Sequence, residues 1–263
     1  MKKLIYTFLL VFVALAIIGC GDDNVQANPP VVENEITLGK YPQNEVFDEI
    51  IISELESLSS NSNGYIKYNN KEYYKLDGRY FEVAPITWKK ITVNGKTMYM
   101  SDKILDESKF LSENYFEVSI YPYSKKPGAP EETYANNYQY SDVREFLNNT
   151  FYNIAFTTEE KNKLQKVEYD GLSDYIYTLS IEELNEEMPL PTSATAYAVA
   201  RGCEQIYDTQ IDYKFNGNAT WWLRTPNIIQ LWRAAGISYE GVVLEYIDCH
   251  NNKIGVRPVI CLK

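Results

Sequence analysis

Residues 141–164 read SDVREFLNNTFYNIAFTTEEKNKL and hold the two clearest helix starts of the chain. Ser141 precedes a run with apolar residues at helical spacing, which predicts a helix over 142–152 with Ser141 as its cap. Thr157 is followed three residues later by Glu160, and this spacing is typical of a capping box at the start of a second helix. The middle of the chain is therefore predicted to be helical.

Shorter helical signals lie on both sides of this stretch. Residues 48–58 carry isoleucines and leucines at helical spacing. Ser180 and Glu183 repeat the capping-box spacing, and the small residues of 192–201 end at Gly202, which favours a helix terminus there.

Strand signals dominate the two ends of the chain. Residues 65–76 hold Asn69-Asn70 between two aromatic-rich runs, which predicts a hairpin. Residues 80–93 read as a strand followed by an Asn94-Gly95 turn, and the chain returns to strand patterns from Thr220 onward. Strands at both ends and helices in the middle predict an α+β fold in a single domain.

The C-terminal stretch predicts an antiparallel hairpin formed by 242–247 and 254–262. A two-residue turn between these runs would place Asp248 diagonally opposite Arg257 on one face of the hairpin. The pattern therefore predicts an ion pair between Arg257 and Asp248 or another acid, and the alternative that Arg257 contacts a ligand stays open.

The N-terminus has the three parts of a secretory signal. A positive start is followed by an apolar run of 15 residues at 4–18, which is shorter than the roughly 20 residues of a membrane span. The residues Ile17-Ile18-Gly19-Cys20 resemble the bacterial lipobox, in which the cysteine is acylated and becomes the first residue. We expect a signal peptide over 1–19, a lipidated Cys20 that binds the cell membrane or the outer membrane outside the cytoplasm, and a flexible tether over 20–35. The alternatives are an ordinary signal peptide or an uncleaved anchor that ends in cysteine.

Composition excludes several classes of site. The chain of 263 residues has a net charge of −11, so it repels phosphate backbones and nucleic acid is not an expected partner. A single histidine excludes a multi-histidine metal site. The three cysteines other than Cys20 form no CxxC pair and are expected to be buried free thiols rather than disulfides: Cys203, Cys249 and Cys261.

Two stretches carry the candidate ligand contacts. Trp222 and Arg224 share one side of a predicted strand, and a flat ring beside a guanidinium suits a sugar or a peptide carboxylate. The alternative is that the Trp221-Trp222 pair fills the core and Arg224 makes a structural salt bridge. The long loop 119–140 supplies adaptable, amphipathic side chains, although it is also consistent with a solvated loop. Its candidate contacts are Tyr134, Asn136 and Tyr138.

Several stretches together resemble DUF6273, an uncharacterised family of bacterial domains. They are ITLGKYPQ at 36–43, APITWKKI at 84–91, 141–164, LSIEE at 179–183, PTSATAYAVARG at 191–202, WWLRTP at 221–226 and GVRPVICLK at 255–263. The family is similar to the C-type-lectin-like fold, in the variant used by formylglycine-generating enzymes. The resemblance implies one domain over 36–263 with paired terminal strands, long irregular loops and flanking helices, in which 48–76 is an insertion.

The resemblance implies recognition rather than a defined reaction. Lectins of this fold hold calcium through Glu-Pro-Asn or Gln-Pro-Asp and Trp-Asn-Asp triplets, and the sequence contains none of these. The cysteines do not match the copper-binding pair of formylglycine-generating enzymes, so the sequence has no calcium or copper motif and predicts no catalytic residue. We expect a surface-anchored binding module for a glycan, a cell-wall fragment or a protein. An enzyme of the formylglycine-generating type and a purely structural envelope protein remain alternatives.

Overall fold

The computed structural model describes residues 34–116, 122–207 and 215–263, and Glu33–Lys263 forms one compact unit. The predicted signal peptide and Cys20 lie outside the described residues. In chain order the elements are β1 (Glu35–Glu45), α1 (Glu49–Glu56), β2 (Tyr65–Tyr68), β3 (Lys71–Leu76), β4 (Arg79–Val93), β5 (Lys96–Ser101), β6 (Asp106–Glu107), α2 (Asp142–Glu145), α3 (Tyr152–Ala155), α4 (Thr158–Lys161), β7 (Leu164–Gln165), β8 (Val167–Tyr169), β9 (Leu172–Asp174), β10 (Ile176–Tyr177), α5 (Ala196–Arg201), β11 (Trp221–Pro226), β12 (Arg233–Ile237), β13 (Val243–Asp248), β14 (Gly255–Val256) and β15 (Val259–Leu262). The mixture of curled sheet and short helices confirms the α+β class.

The largest sheet is organised around β4, which pairs with β1, β3 and β5. The last strand, β15, pairs with β5, β7 and β10. The expected direct pairing of the first and last strands is therefore wrong, because β4 and β5 lie between them in the sheet. The 15-residue length of β4 lets it serve three partners at different positions along its edges.

The segment expected to be an insertion, 48–76, is integrated into this sheet. Asp48 caps α1, since its carboxylate accepts from the N–H groups of Ile50 and Ile51. The predicted hairpin is confirmed as β2 and β3, and β3 continues the sheet by pairing with β4. A small core joins α1 to β2, β3 and β4 through four buried residues: Leu55, Ile66, Tyr73 and Tyr80.

The central helical stretch is confirmed with its start signals. Ser141 Oγ accepts from the Arg144 N–H at 3.1 Å, and Thr157 and Glu160 form the expected capping box. α2 and α3 are joined without a break by a π-helical segment, Phe146–Phe151. The predicted helix over 142–152 thus extends to Ala155, at the end of α3.

A second, five-stranded sheet runs in the order β13-β12-β11-β14-β6. β13 pairs with β12, while β14 lies parallel to β11 and antiparallel to β6. The predicted C-terminal hairpin is wrong, because β12 takes β13 as its partner. β12 reads RAAGI, and its small residues give no alternation of bulky side chains by which a strand could be recognised.

Arg257 is buried at the junction of the two sheets, with 1% of its surface exposed. Its guanidinium donates to four backbone carbonyls: Ser101 O at 2.9 Å, Asp102 O at 3.3 Å, Pro189 O at 2.6 Å and Leu190 O at 3.1 Å. Burial lowers the pKa of Arg257 to about 9, so the side chain still carries its charge at neutral pH. Arg257 therefore joins segments that are far apart in sequence.

The predicted ion pair between Arg257 and Asp248 is not formed. Asp248 accepts from Arg233 Nε at 2.7 Å, since the two residues face each other where β12 pairs with β13. The prediction assumed the wrong strand partner for β13, and the same error misplaced both side chains.

Candidate functional site

A cleft with a volume of about 500 Å³ opens at the end of β11, which is within the range of ligand pockets. Three segments surround this end of the strand: the loop before α2, the turn between β8 and β9, and the loop between β11 and β12. The residues that line the cleft are Tyr134, Asn136, Asn137, Tyr138, Gln139, Asp170, Leu172, Arg224, Pro226, Asn227, Ile228 and Leu231.

Arg224 forms one wall of the cleft, and its hydrogen-bond donors are largely occupied. Nη1 and Nη2 bind the carboxylate of Glu183 at 2.5 and 2.9 Å. Nε binds Asp170 at 2.9 Å, and Nη1 also donates to the carbonyl of Thr178 at 3.0 Å. Only 5% of Arg224 is exposed. Arg224 lines the cleft but makes a structural salt bridge, so it does not offer an unpaired cation to a ligand.

Trp222 does not reach the cleft, and its predicted role as an exposed platform is wrong. β11 lies between two strands of the sheet and is covered on both faces, so Trp221 and Trp222 are both fully buried. Each indole N–H is satisfied inside the core, at the carbonyl of Leu190 for Trp221 and of Ser108 for Trp222. The two neighbouring side chains point to opposite faces of β11, and neither ring is exposed because both faces are covered.

Asn136 fixes one side of the cleft to the other. Its buried side-chain amide donates to the carbonyls of Asn227 and Arg233, both at 2.8 Å. Its own N–H binds the carbonyl of Leu231 at 3.2 Å. Asn136 is thus a clamp between the two loops rather than a ligand contact with free donors.

Asn227 shapes the loop between β11 and β12 into a rigid turn. Its Oδ1 accepts from the N–H groups of Ile229 at 3.0 Å and Gln230 at 2.7 Å. The turn presents two neighbouring isoleucines to solvent, Ile228 with 87% and Ile229 with 79% of their surfaces exposed. We call Ile228 and Ile229 the isoleucine pair. Ile228 lines the cleft and Ile229 follows it in the chain, and exposed apolar side chains of this kind are typical of a contact surface.

The two tyrosines of the predicted loop differ in their roles. Tyr134 is exposed at the rim and stacks on Tyr123 with ring centroids 5.3 Å apart. Tyr138 is buried, and its hydroxyl accepts from the Thr178 N–H at 3.3 Å. Burial raises the pKa of Tyr138 to about 12, which keeps it a neutral phenol. Tyr134 offers an aromatic face, whereas Tyr138 forms part of the floor.

The turn between β8 and β9 is held by a buried ion pair behind the cleft. Arg144 binds the carboxylate of Asp174 in a bidentate manner at 2.7 and 2.8 Å. The Tyr169 hydroxyl donates to the same carboxylate. The cleft wall carrying Asp170 and Leu172 therefore rests on a rigid support.

The structure brings four predicted contacts into one cleft: Tyr134, Asn136, Tyr138 and Arg224. Sequence reasoning missed Asp170 and Leu172, although the Asp170-Gly171 dipeptide is a turn signal. It also missed Ile228 and Leu231, because an apolar run after a strand cannot be distinguished from more strand by periodicity.

The cleft is lined mainly by uncharged side chains. It offers aromatic, amide and apolar side chains, and its two charged residues pair with each other. The three described cysteines are free and buried elsewhere, and burial raises their pKa values, in the case of Cys203 to about 12. Among residues 34–116, 122–207 and 215–263, no group of three or more histidine, cysteine or acidic side chains could hold a metal ion.

No helix within the described part of the chain is long and apolar enough to cross a membrane. A comparison with protein families matches residues 94–263 to a domain of unknown function, DUF6273. The chain belongs to this family, and all the residues of the cleft lie within the matched part. Neither a curated protein nor a solved structure matches the chain.

Proposed function

We propose that this member of the DUF6273 family is a non-catalytic binding module of the bacterial cell envelope, and that its cleft takes a neutral glycan or cell-wall fragment. The observation that carries the proposal is the lining of the cleft. Aromatic, amide and apolar groups surround a space of about 500 Å³ whose charges are internally paired.

A neutral, polar ligand fits this lining best. Arg224 is neutralised by Glu183 and Asp170, so an anionic ligand would meet no unpaired cation there. Asn137 and Gln139 add side-chain amides that donate and accept hydrogen bonds. Tyr134 provides an exposed ring on which the apolar face of a sugar can stack.

Preorganisation of the cleft supports a role in recognition. The clamp of Asn136 and the turn of Asn227 hold both loops in place before a ligand arrives. A ligand that enters such a site loses less free energy to the ordering of loops.

The C-type-lectin-like architecture is part of the proposal. This architecture is supported by long loops on a mixed scaffold of strands and short helices. The first and last strands pair with β4 and β5 rather than with each other. An experimental structure would test it by superposition on lectin domains.

Envelope attachment through Cys20 is likewise proposed from the sequence, and two acyl chains would suffice for stable anchoring. The test is radiolabelled palmitate incorporation into the full chain in a bacterial host, with Cys20→Ala as the control. Label in the wild type and none in the variant supports the anchor. Equal labelling of both would overturn it.

Binding is tested with residues 21–263, since Glu33–Lys263 is a compact unit with its own core. The protein is applied to an array of glycans and peptidoglycan fragments, with and without calcium. We expect saturable binding that Tyr134→Ala weakens and Ile50→Ser leaves unchanged, because Ile50 is 74% exposed and lies on α1, outside the cleft. Binding of no glycan or fragment at all, or binding insensitive to Tyr134, contradicts the proposal. In that case stoichiometric protein partners become the next candidates.

A further inference from the structure

A second cavity, of about 310 Å³, shares Asp170 and Arg224 with the cleft. Its other walls come from the turn between β4 and β5, from β8, and from the segment between β10 and the 3₁₀ turn Ile181–Glu183. We call it the acidic cavity. Because both spaces are lined by the ion-paired Asp170 and Arg224, they are immediate neighbours.

The acidic cavity carries more carboxylates than cations. Its lining contains four acids, Glu168, Asp170, Glu182 and Glu183, against Lys96 and Arg224. Arg224 is already paired with Glu183 and Asp170. The cavity therefore has an excess of negative charge that favours a cationic group.

Glu182 and Glu168 are the two acids of the cavity that are not paired with Arg224. Hydrogen bonds from its own backbone N–H and from Ser180 lower the pKa of Glu182, which keeps it ionised at neutral pH. Glu168 accepts a hydrogen bond from the Ser173 hydroxyl at 2.5 Å and is otherwise exposed. Both carboxylates retain acceptor capacity for a ligand.

An unpartnered polar group also lines this cavity. Tyr177 is fully buried, and within the described part of the chain its hydroxyl has no hydrogen-bond partner. Burial raises the pKa of Tyr177, so the hydroxyl stays neutral and its oxygen can accept a hydrogen bond. A buried polar group without a partner costs free energy that a ligand donor would recover.

We propose that the acidic cavity binds a primary ammonium group of the same ligand that occupies the cleft. The inference rests on the proposed function and narrows its ligand to a glycan that carries a free amine, such as a de-N-acetylated amino sugar. An ammonium has three donors and no acceptor, which matches carboxylates and a phenolic oxygen. The cleft holds the neutral sugars, and the acidic cavity selects for the amine.

Isothermal titration of residues 21–263 with two chitotetraoses tests the inference, one fully N-acetylated and the other carrying a single free amine on its non-reducing terminal sugar, at pH 6. We expect the amine-bearing tetraose to bind about ten times more tightly or better, since a charge-assisted hydrogen bond is worth that much. The double variant Glu168→Gln/Glu182→Gln should remove this preference while the affinity for the acetylated tetraose stays unchanged. Glu54→Gln/Glu56→Gln on α1 is the matched control and should keep the preference.

The variant Tyr177→Phe tests whether the Tyr177 hydroxyl contacts the ligand or stabilises the fold. Because the hydroxyl has no partner in the described structure, its removal should leave the melting temperature unchanged or raised, and it should reduce the preference for the amine. Equal affinity for both tetraoses, or a preference that survives the acid and Tyr177 variants, overturns the inference and leaves the cleft intact. If neither tetraose binds, the inference fails for this ligand class, and the array result decides whether the proposed function fails with it.

Discussion

Arg224 and Arg257 are two buried arginines with contrasting surroundings. Arg224, at the cleft, is bound by the carboxylates of Glu183 and Asp170. Arg257, at the junction of the sheets, is bound by backbone carbonyls alone among its described hydrogen bonds. The two residues come from WWLRTP and GVRPVI, the most specific of the sequence stretches that resemble the family.

The difference shows how the same residue type can support a site or a fold. The partners of Arg224 include charged side chains, so removing Arg224 leaves a buried charge unpaired, whereas the partners of Arg257 are neutral backbone carbonyls. Arg224 lines the cleft, while Arg257 holds segments together and is not among the residues that line the cleft.

The largest effect is expected from Arg257→Met. The substitution leaves four buried carbonyls without donors, and at about 1 kcal/mol or more for each group the free energy of unfolding should fall by about 4 kcal/mol. Urea unfolding measures the loss, which should be equal at pH 5 and pH 8. Arg257→Lys keeps the charge and some of the donors, so it should fold and lose less. A loss below 1 kcal/mol in Arg257→Met would show that the hydrogen bonds of Arg257 do not stabilise the fold.

A smaller loss is expected from Arg224→Met. The variant buries the Glu183 carboxylate without its cation, which costs about 3 kcal/mol. Urea unfolding measures the loss. The double variant Arg224→Met/Glu183→Leu should recover most of the stability, because it removes the unpaired carboxylate. A double variant that is no more stable than Arg224→Met would remove the contrast with Arg257.

The isoleucine pair tests whether the cleft rim binds without supporting the fold. Ile228→Ser/Ile229→Ser should weaken ligand binding about tenfold, since it removes apolar contact area at the rim. The melting temperature should not change, because both side chains are exposed. Thermal unfolding and titration with the array ligand are the two readouts. Unchanged binding would exclude the rim from the site.

The smallest effect concerns Glu107, a carboxylate whose Oε1 is buried without a partner in the described structure. Burial, followed by the charge of Asp106, raises the pKa of Glu107 from 4.5 to about 7. The stability contributed by its protonated form is therefore complete below pH 4.5 and is lost as the pH rises through 7. Glu107→Gln should match the wild type at pH 5 and melt at a higher temperature at pH 8.

The matched control for this prediction is Glu113→Gln, which changes an exposed carboxylate whose pKa is lowered by the hydrogen bond from Lys109. It should not gain stability at pH 8. A Glu107→Gln variant that is equally stable at both pH values, relative to the wild type, would contradict the raised pKa.

Local signals were read correctly from the sequence where a few neighbouring residues decide the structure. The caps at Ser141 and Thr157 and the hairpin turn at Asn69-Asn70 depend on side chain to backbone bonds or on left-handed backbone, which short motifs encode. The α+β class followed from the order of these elements.

The pairing of strands that are far apart in sequence could not be predicted from such local motifs. β12 has no bulky alternation, so the partner of β13 and with it the positions of Arg257 and Asp248 were assigned wrongly. The burial of Trp222 depends on a second layer covering β11, which no local pattern reports. The candidate loop with Tyr134 was found because its composition alone suggests recognition.

The cleft as ligand site is tested most directly by hydrogen exchange of residues 21–263 with and without the tightest ligand from the array. We expect new protection in three segments, 134–139, 170–172 and 226–231, because these surround the cleft. Protection should be absent from the edge strand β13 beyond the cleft. Ligand-induced protection confined to β13 or α1, with none in the three segments, would contradict the assignment of the site.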